Sequence, residues 1–499
     1  MLNFLAEYGI IYGCGRDVSR RDGNRTLIVF VYGKEVWFAM KKTASRYEID
    51  MCNGPLVPGI LRFALPLIDT NVLQLAFTAA DMIVVGKFSG SDTALAAVGA
   101  TGALINLIVN LFIGLATGVN VLIANYRGAG RTQDAQDTVH TAMVTAGAGG
   151  VALIFVGLLL SRPLLALMGT PENVIDQSTL YMRIYFSGMP FFLVYNYGAA
   201  ILRGVGDTKR PLFYLSLSGV LNVLLNLFFV IVLGMDVAGV ALATISSQAL
   251  SAVLIVRCLL KTEGICNLDP KKLKIHKHKL VRMMQIGLPA GFQGSLFSIS
   301  NVLIQSSINS FGSVVMSGNT AAGNIEGFVY TSMNSVAQAA LSFNGQNYGA
   351  HKHKRIDKVL VTCLLLAGTF GALIGNMAYL FGKPLLSLYT NNPEEVIYGL
   401  NRLQIVACLY FLCGFMDTLC YTMRGIGMSL LPTVISLTGA CLFRIVWIYT
   451  VFAAHHTQFV LYISYPISWT LTSVAYVICY LIIRKKKFSK EEPEPLPNA

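Results

Sequence analysis

Arg203-Gly204-Val205-Gly206, followed by Pro211, returns as Arg424-Gly425-Ile426-Gly427, followed by Pro432, with the same Arg-to-Pro spacing. Working outward, Pro163-Leu164-Leu165 with Pro171-Glu172-Asn173-Val174-Ile175 returns as Pro384-Leu385-Leu386 with Pro393-Glu394-Glu395-Val396-Ile397. Asn125-Tyr126 returns as Asn347-Tyr348, and Leu65-Pro66 as Leu288-Pro289. Every offset falls near 222 residues, so one half of the chain is a copy of the other.

Composition says which medium the copies fold in. The 499 residues are 54% hydrophobic and 13% charged. Soluble domains carry about 25% charged residues, so a water-soluble fold of this chain would expose large apolar patches. The chain reads as an integral membrane protein. Backbone groups in lipid must bond within their own segment or within a closed barrel. Apolar runs of about 20 residues suit helices and not barrel strands. An internal repeat in so apolar a chain is the mark of a secondary transporter.

Twelve spans are expected, at roughly 60–85, 96–123, 139–161, 181–201, 212–234, 238–260, 283–311, 321–344, 359–381, 400–422, 432–453 and 459–483. The fold class is an all-α polytopic membrane protein, with the twelve helices in two parallel six-helix repeats. Residues 1–55 read as an N-terminal extension, either upstream of the true start at Met40 or disordered. Residues 56–260 form the first lobe, 261–282 a basic linker and 283–484 the second lobe. Residues 485–499 form a Glu/Pro-rich disordered tail.

The net charge of +13 could suggest nucleic acid, but its placement says otherwise. Lys41, Lys42, Arg127, Arg131, Arg203, Arg210, Lys271 to Lys279, Lys352 to Lys358, Arg424 and Arg484 to Lys487 fall in one set of short loops. The opposite loops hold only Lys87, Arg162 and Lys383. The first set is cytoplasmic by the positive-inside rule, which puts both termini in the cytoplasm of a multi-pass protein of the cell (inner) membrane. The ten cysteines lie mostly inside apolar runs and read as reduced buried thiols. No phosphate loop, metal-ligand spacing or clustered nucleophile stands out, so no enzyme and no cofactor is expected.

Ionisable groups inside spans are costly and mark function. Asp81 lies in the outer part of span 1, with Thr70, Gln74 and Thr78 on the same helical face, so that face looks into a wet cavity. Asp81 can bind and release a proton, or hold a cation when ionised. The bland alternative is a carboxylate near a helix end that meets bulk water. Asn222 and Asn226, one turn apart on span 5, either hydrogen-bond Asp81 or glue helices together. Asn106, Asn110, Thr117 and Asn120 make a similar stripe on span 2, read mainly as glue. The second half does not copy Asp81. Its candidates for a substrate or cation are Glu326, with no evident basic partner, and Asp417 with Arg444. Asp417 lies about 10 Å deep and Arg444 about 18 Å deep, so the two can equally form a structural ion pair. Phe191, Phe192, Tyr195, Tyr197, Phe328, Tyr330 and Met333 read mostly as packing, with an aromatic-lined cavity as the alternative. The Arg-Gly-x-Gly loops read as structural turns with Arg at the inner interface.

Six stretches together resemble the multidrug and toxic compound extrusion (MATE) family over roughly 55–485. They are Ala64-Leu65-Pro66, Ala80-Asp81-Met82-Ile83-Val84-Val85-Gly86, Leu95-Ala96-Ala97-Val98-Gly99, Leu202-Arg203-Gly204-Val205-Gly206-Asp207-Thr208, Gln346-Asn347-Tyr348-Gly349-Ala350 and Met423-Arg424-Gly425-Ile426-Gly427. The resemblance implies two six-helix lobes around a central cleft. It implies export of small organic cations and drugs across the lipid bilayer by alternating access, in exchange for H⁺ or Na⁺, by a monomer. Asp81 matches the family's span 1 aspartate at a cation-coupling site, and Asn222 that site's asparagine. Asn226 departs from the aspartate often found there. Span 7 offers only Gln293, Asn301 and Gln305 toward a second-lobe sodium site. The alternative from the same superfamily is a lipid-linked oligosaccharide flippase, which needs a basic cavity. Here the acids Asp69, Asp81, Glu326 and Asp417 outnumber the one deep arginine, Arg444.

Overall fold

Hydrocarbon cannot hydrogen-bond a peptide group, so long apolar stretches close their bonds along one helix. The computed structural model describes residues 18–22, 25–32, 35–42, 47–89 and 94–488, and these contain twelve long helical segments. They are α1 (Leu56–Phe88), α2 (Ala94–Gly128), α3 (Thr132–Leu167), and α4, built of Glu172–Ser187 and Met189–Gly204. α5 (Lys209–Leu227) runs on through a π turn, Phe228–Val232, and is followed by α6 (Asp236–Lys261). The second half holds α7 (Lys277–Asn309), α8 (Ser313–Gly349) and α9 (His353–Leu380). α10 comprises Pro393–Arg402, a π turn Leu403–Ala407, and Phe411–Gly425, with a 44° bend between its parts. α11 runs from Leu430–Ser436 to Ile448–Phe452 with π turns, and α12 is Gln458–Ile483.

Eight of these are individually long and apolar enough to cross a bilayer, and the bent α10 makes nine. The others are the polar-striped α7 and α8 and the α4 pair broken at Gly188. Several helices overrun the expected spans at both ends: α3 covers 36 residues where 139–161 was expected. Hydropathy reads only the core of about 30 Å, whereas the hydrogen-bond ladder continues to any residue that can join it.

The chain divides into two units, Met1–Glu48 and Ile49–Ala499. In the first, strands β1 (Val18–Asp22), β2 (Arg25–Tyr32) and β3 (Glu35–Lys42) form an antiparallel sheet in the order β1-β2-β3. Val18 pairs Val29, and Phe30 pairs Trp37. These strands fall within the segment read as an N-terminal extension; alternating β-branched and aromatic residues in β2 suit a pleated ladder. Residues 1–17 and 43–46 of that extension lie outside the described residues. So does the tail from 489, while Arg484–Phe488 extends α12 as a π turn.

In the second unit each half builds its own apolar core, one around Tyr197, Phe186 and Ile123, the other around Tyr462, Tyr476 and Trp469. The halves meet where side chains vanish. A Cβ on Gly118 of α2 would lie 2.4 Å from the Met283 carbonyl oxygen of α7, and one on Gly287 would lie 2.5 Å from Leu115 Cα. Small residues let membrane helices approach this closely. The repeated turns behave as their residues require: Gly206 has φ 93° and Gly427 φ 83°, the left-handed region that only Gly enters freely. The nine described cysteines are unbonded.

Candidate functional site

Between the halves lies a cavity of about 870 Å³. α1 contributes Asn71, Gln74, Thr78 and Asp81 to its wall, and α2 contributes Asn106, Asn110, Thr117 and Asn120. α5 adds Asn222, while Tyr330, Asn334, Gln338 and Tyr421 come from the second half. Polar residues one turn apart on an otherwise apolar helix can share such a wall only if that face is wet. Thr70, expected on the same stripe, instead returns its hydroxyl to the Pro66 carbonyl at 2.6 Å. The α2 stripe, read mainly as glue, does both jobs. Asn110 donates to Ser298 Oγ of α7 at 3.3 Å, and Asn120 accepts from Ser342 Oγ of α8 at 3.1 Å, while both line the cavity. Of the aromatic residues singled out in the sequence, Phe192, Tyr195 and Tyr330 reach the cavity. Tyr197 and Met333 are buried in packing, and Phe191 and Phe328 are exposed but not on the cavity wall.

Asp81 is half-buried and accepts a hydrogen bond from the Asn226 side-chain amide. The same Nδ2 points to Asn222 Oδ1 at 3.3 Å, and Asn226 Oδ1 is buried with no hydrogen bond among the described residues. Tyr181 and Tyr185 line the same wall. Asp81 forms no ion pair among the described residues and is the one carboxylate on the cavity's described wall. The structure thus brings Asp81, Asn222 and Asn226 into one chain of contacts.

The second-half candidates sit differently. Glu326 has a basic partner after all. Arg402 Nε donates to Glu326 Oε1 at 2.9 Å and Nη2 to Oε2 at 2.7 Å, a bidentate pair with both residues buried. Arg402 Nη1 also donates to Asn319 Oδ1 at 2.6 Å, and its guanidinium stands 5.7 Å from the rings of Tyr462 and Tyr465. The partner is 76 positions away on α10, beyond any local spacing rule. Asp417 and Arg444 do not pair. Arg444 Nε donates to Ser468 Oγ at 2.9 Å, and its guanidinium lies 4.3 Å from the Tyr465 ring centroid. Stacking on an aromatic face replaces the expected carboxylate. Asp417 makes no ion pair among the described residues. Neither Glu326 nor Arg444 is on the cavity wall.

The sequence reading missed several cavity residues, among them Asn71, Tyr181, Tyr185, Gln338 and Tyr421. Arg203, expected as an interface anchor, turns inward and donates from Nη1 to Gln338 Oε1 of α8 at 3.1 Å. Its copy Arg424 is buried and donates to Gln293 Oε1 at 2.7 Å. The signal was present: an arginine after a span of small and aromatic residues, repeated at the same offset, has two identical chances to face inward.

The end of the cavity that carries the basic loops is shut. A Cβ on Gly128 would lie 1.9 Å from the Gln346 carbonyl oxygen, and one on Gly349 would lie 1.9 Å from that of Asn125. Gln346 Nε2 donates to the Gly204 carbonyl at 2.9 Å, completing a seam of α2, α4 and α8. Among the described residues no group of three His, Cys, Asp or Glu side chains gathers as a metal site.

The MatE family profile matches residues 66–228 and 289–450, one stretch in each repeat. The chain is similar to the probable multidrug resistance protein YoeA of Bacillus subtilis, 30% identical over 441 residues, which are 85% of this chain and 93% of that one. It is 25% identical to the probable multidrug resistance protein NorM of Thermotoga maritima, over 76% of this chain and 82% of that one. Among solved structures it resembles an outward-facing multidrug resistance MATE family transporter of the MOP superfamily, with TM-score 0.83 and 20% identity, over 90% of this chain and 100% of that one. It also resembles a mutant of the Vibrio cholerae MATE transporter VcmN, with TM-score 0.81 and 20% identity, over 87% of this chain and 99% of that one. These two likenesses concern the fold.

Proposed function

This chain belongs to the MatE family of multi-pass membrane transporters, and from that premise we propose that it is a secondary antiporter that exports amphiphilic organic cations in exchange for H⁺ or Na⁺. The observation that carries the reading is Asp81, a lone carboxylate held by an amide on the wall of a cavity about 870 Å³ in volume. That volume suits one drug-sized solute, since ligand pockets run about 300–1,000 Å³. Ionised, Asp81 attracts a cation, and Tyr181 and Tyr185 beside it can add cation–π contacts. A proton or Na⁺ arriving from outside neutralises the carboxylate, ends its attraction for the cargo, and releases its hold on the Asn226 amide. Asn226 can then rotate so that its unpartnered Oδ1 accepts from the protonated acid. α1 carries Pro66 within its length, so it can bend as this contact changes. The seam at Gly128 and Gly349 then parts, and the ion leaves on the basic side.

The basic loops mark that side as cytoplasmic, which places both ends of the helical unit in the cytoplasm and the transporter in the cell's plasma membrane. One chain walls the whole cavity, so a monomer suffices. The work needs no cofactor and makes no covalent bond, so the protein is not an enzyme. The flippase alternative fits less well: among the described residues the cavity wall offers one guanidinium, Arg203, already engaged with Gln338.

Everted vesicles given a cationic dye in the external medium and an imposed pH or Na⁺ gradient test this reading. The expected result is uphill dye movement under one of the two gradients in wild type and its loss in Asp81→Asn. Uphill movement that persists in Asp81→Asn removes the coupling role, and movement under neither gradient removes antiport.

A further inference from the structure

The duplication lets the molecule be compared with itself at the basic end. Each half closes its second helix with the same turn, Gly128-Ala129-Gly130-Arg131 after α2 and Gly349-Ala350-His351-Lys352 after α8. Gly130 has φ 68° and His351 φ 54°, so Arg131 stands where Lys352 stands.

Around the α8 turn, the chain's own residues 49–54 are seated. Asn347 Nδ2 donates to the Met51 carbonyl at 3.0 Å, and Lys352 Nζ to the Cys52 carbonyl at 3.1 Å. Arg355 Nη2 donates to the carbonyls of Asn53 and Gly54 at 3.0 and 2.8 Å. A Cβ on Gly206 would lie 2.9 Å from the Ile49 nitrogen. This place is built to present cationic donors to a row of oxygens, and it is filled.

The matching place around the α2 turn uses the copies Asn125, Arg131 and Gly427. It is a cavity of about 290 Å³, with nothing within 4 Å of a Cβ position on Gly427. The corresponding residues, 271–276, run elsewhere: His276 N donates to Thr141 Oγ1 of α3 at 3.1 Å. Arg282 and His351 join Arg131 on the wall, with Tyr126 and Tyr348. Lys279 Nζ donates to Tyr126 Oη at 3.1 Å, which adds a further positive charge at the rim. Asp134 offsets part of this, bonded by Arg131 at 2.7 Å and by Lys279. The Arg282 guanidinium makes no ion pair or hydrogen bond with any described residue.

We propose that this cavity binds a phosphate group, the chemistry shared by an acidic lipid headgroup and a free phosphate anion. A free guanidinium beside a second one and an imidazole matches phosphate oxygens, which Arg takes in bidentate geometry. Basic pockets between membrane helices at the cytoplasmic level are where headgroups are captured. The bound group spans the halves, because Arg131 belongs to the first and Arg282 and His351 to the second. It therefore ties the seam shut, a consequence that rests on the alternating-access reading, whereas the binding itself does not.

The test uses the purified full-length protein in neutral detergent, titrated with phosphatidylglycerol, phosphatidylcholine or inorganic phosphate, with Tm as the readout. Phosphatidylglycerol is expected to raise Tm where phosphatidylcholine does not. Arg282→Gln is expected to weaken the apparent affinity about tenfold with the lipid-free Tm unchanged, and Arg282→Lys to weaken it less. Inorganic phosphate giving the same Arg282-dependent rise supports the site and assigns it to a free anion. Equal phosphatidylglycerol affinity in wild type, Arg282→Gln and Arg131→Gln overturns the proposal. Dye transport is not the readout, so failure of the exporter reading leaves this result standing.

Discussion

At the residue scale, burial decides which charges work and which hold. Asp81 faces open volume, held by the Asn226 amide and with no ion pair among the described residues. Glu326 is held by two guanidinium bonds inside a lobe, away from the cavity. Removing one partner of such a pair strands the other. Glu326→Gln should therefore lower stability by about 3 kcal/mol, read as a drop in Tm of the purified protein. Adding Arg402→Gln to it should recover part of the loss, because no uncompensated charge remains. If Glu326→Gln left Tm unchanged but abolished ion coupling, the structural assignment would fail. Asp81 was legible in sequence because an acid with polar residues at helical spacing needs no tertiary knowledge. The Glu326–Arg402 pair was not, because only folding brings positions 76 apart into contact.

At the element scale, helix ends and crossings obey backbone geometry more than hydropathy. The α2–α7 crossing depends on glycines whose missing Cβ lets carbonyls of the neighbour approach. Gly118→Ala places a methyl 2.4 Å from the Met283 oxygen and should cost about 1–3 kcal/mol through forced separation of the helices. Gly323→Ala, where nothing lies within 4 Å, should stay within about 0.5 kcal/mol of wild type or rise slightly. Thermal denaturation of both variants side by side checks the pair, and equal Tm values would show that the crossing has slack. Span existence was legible because apolar runs report lipid thickness. The overrun of α3 and the π turns in α5, α10 and α11 were not, because they follow from which hydrogen bonds close and not from residue type.

At the scale of the whole molecule, two copies of one bundle enclose a cavity shut at one end by α2, α4 and α8. Asn120 and Ser342, one from each half, touch at 3.1 Å across that closure. Cysteines at both positions, in a background without native cysteines, should crosslink on oxidation. Dye movement should stop and return on reduction. Undiminished transport by the crosslinked protein would mean that the seam does not part during the cycle.

The repeat itself, the membrane and the polar stripe of Gln74, Thr78 and Asp81 were settled by the sequence, because each is a matter of spacing along one chain. Where the two copies depart from each other was settled only by folding. Arg203 turns into the cavity, Arg444 stacks on Tyr465, and residues 49–54 occupy one turn while its twin around Asn125 stays open. The physical reason is that duplicated sequence specifies equal helices, whereas the packing of one copy against the other, and the path of the connecting segments, assign each copied residue its neighbour.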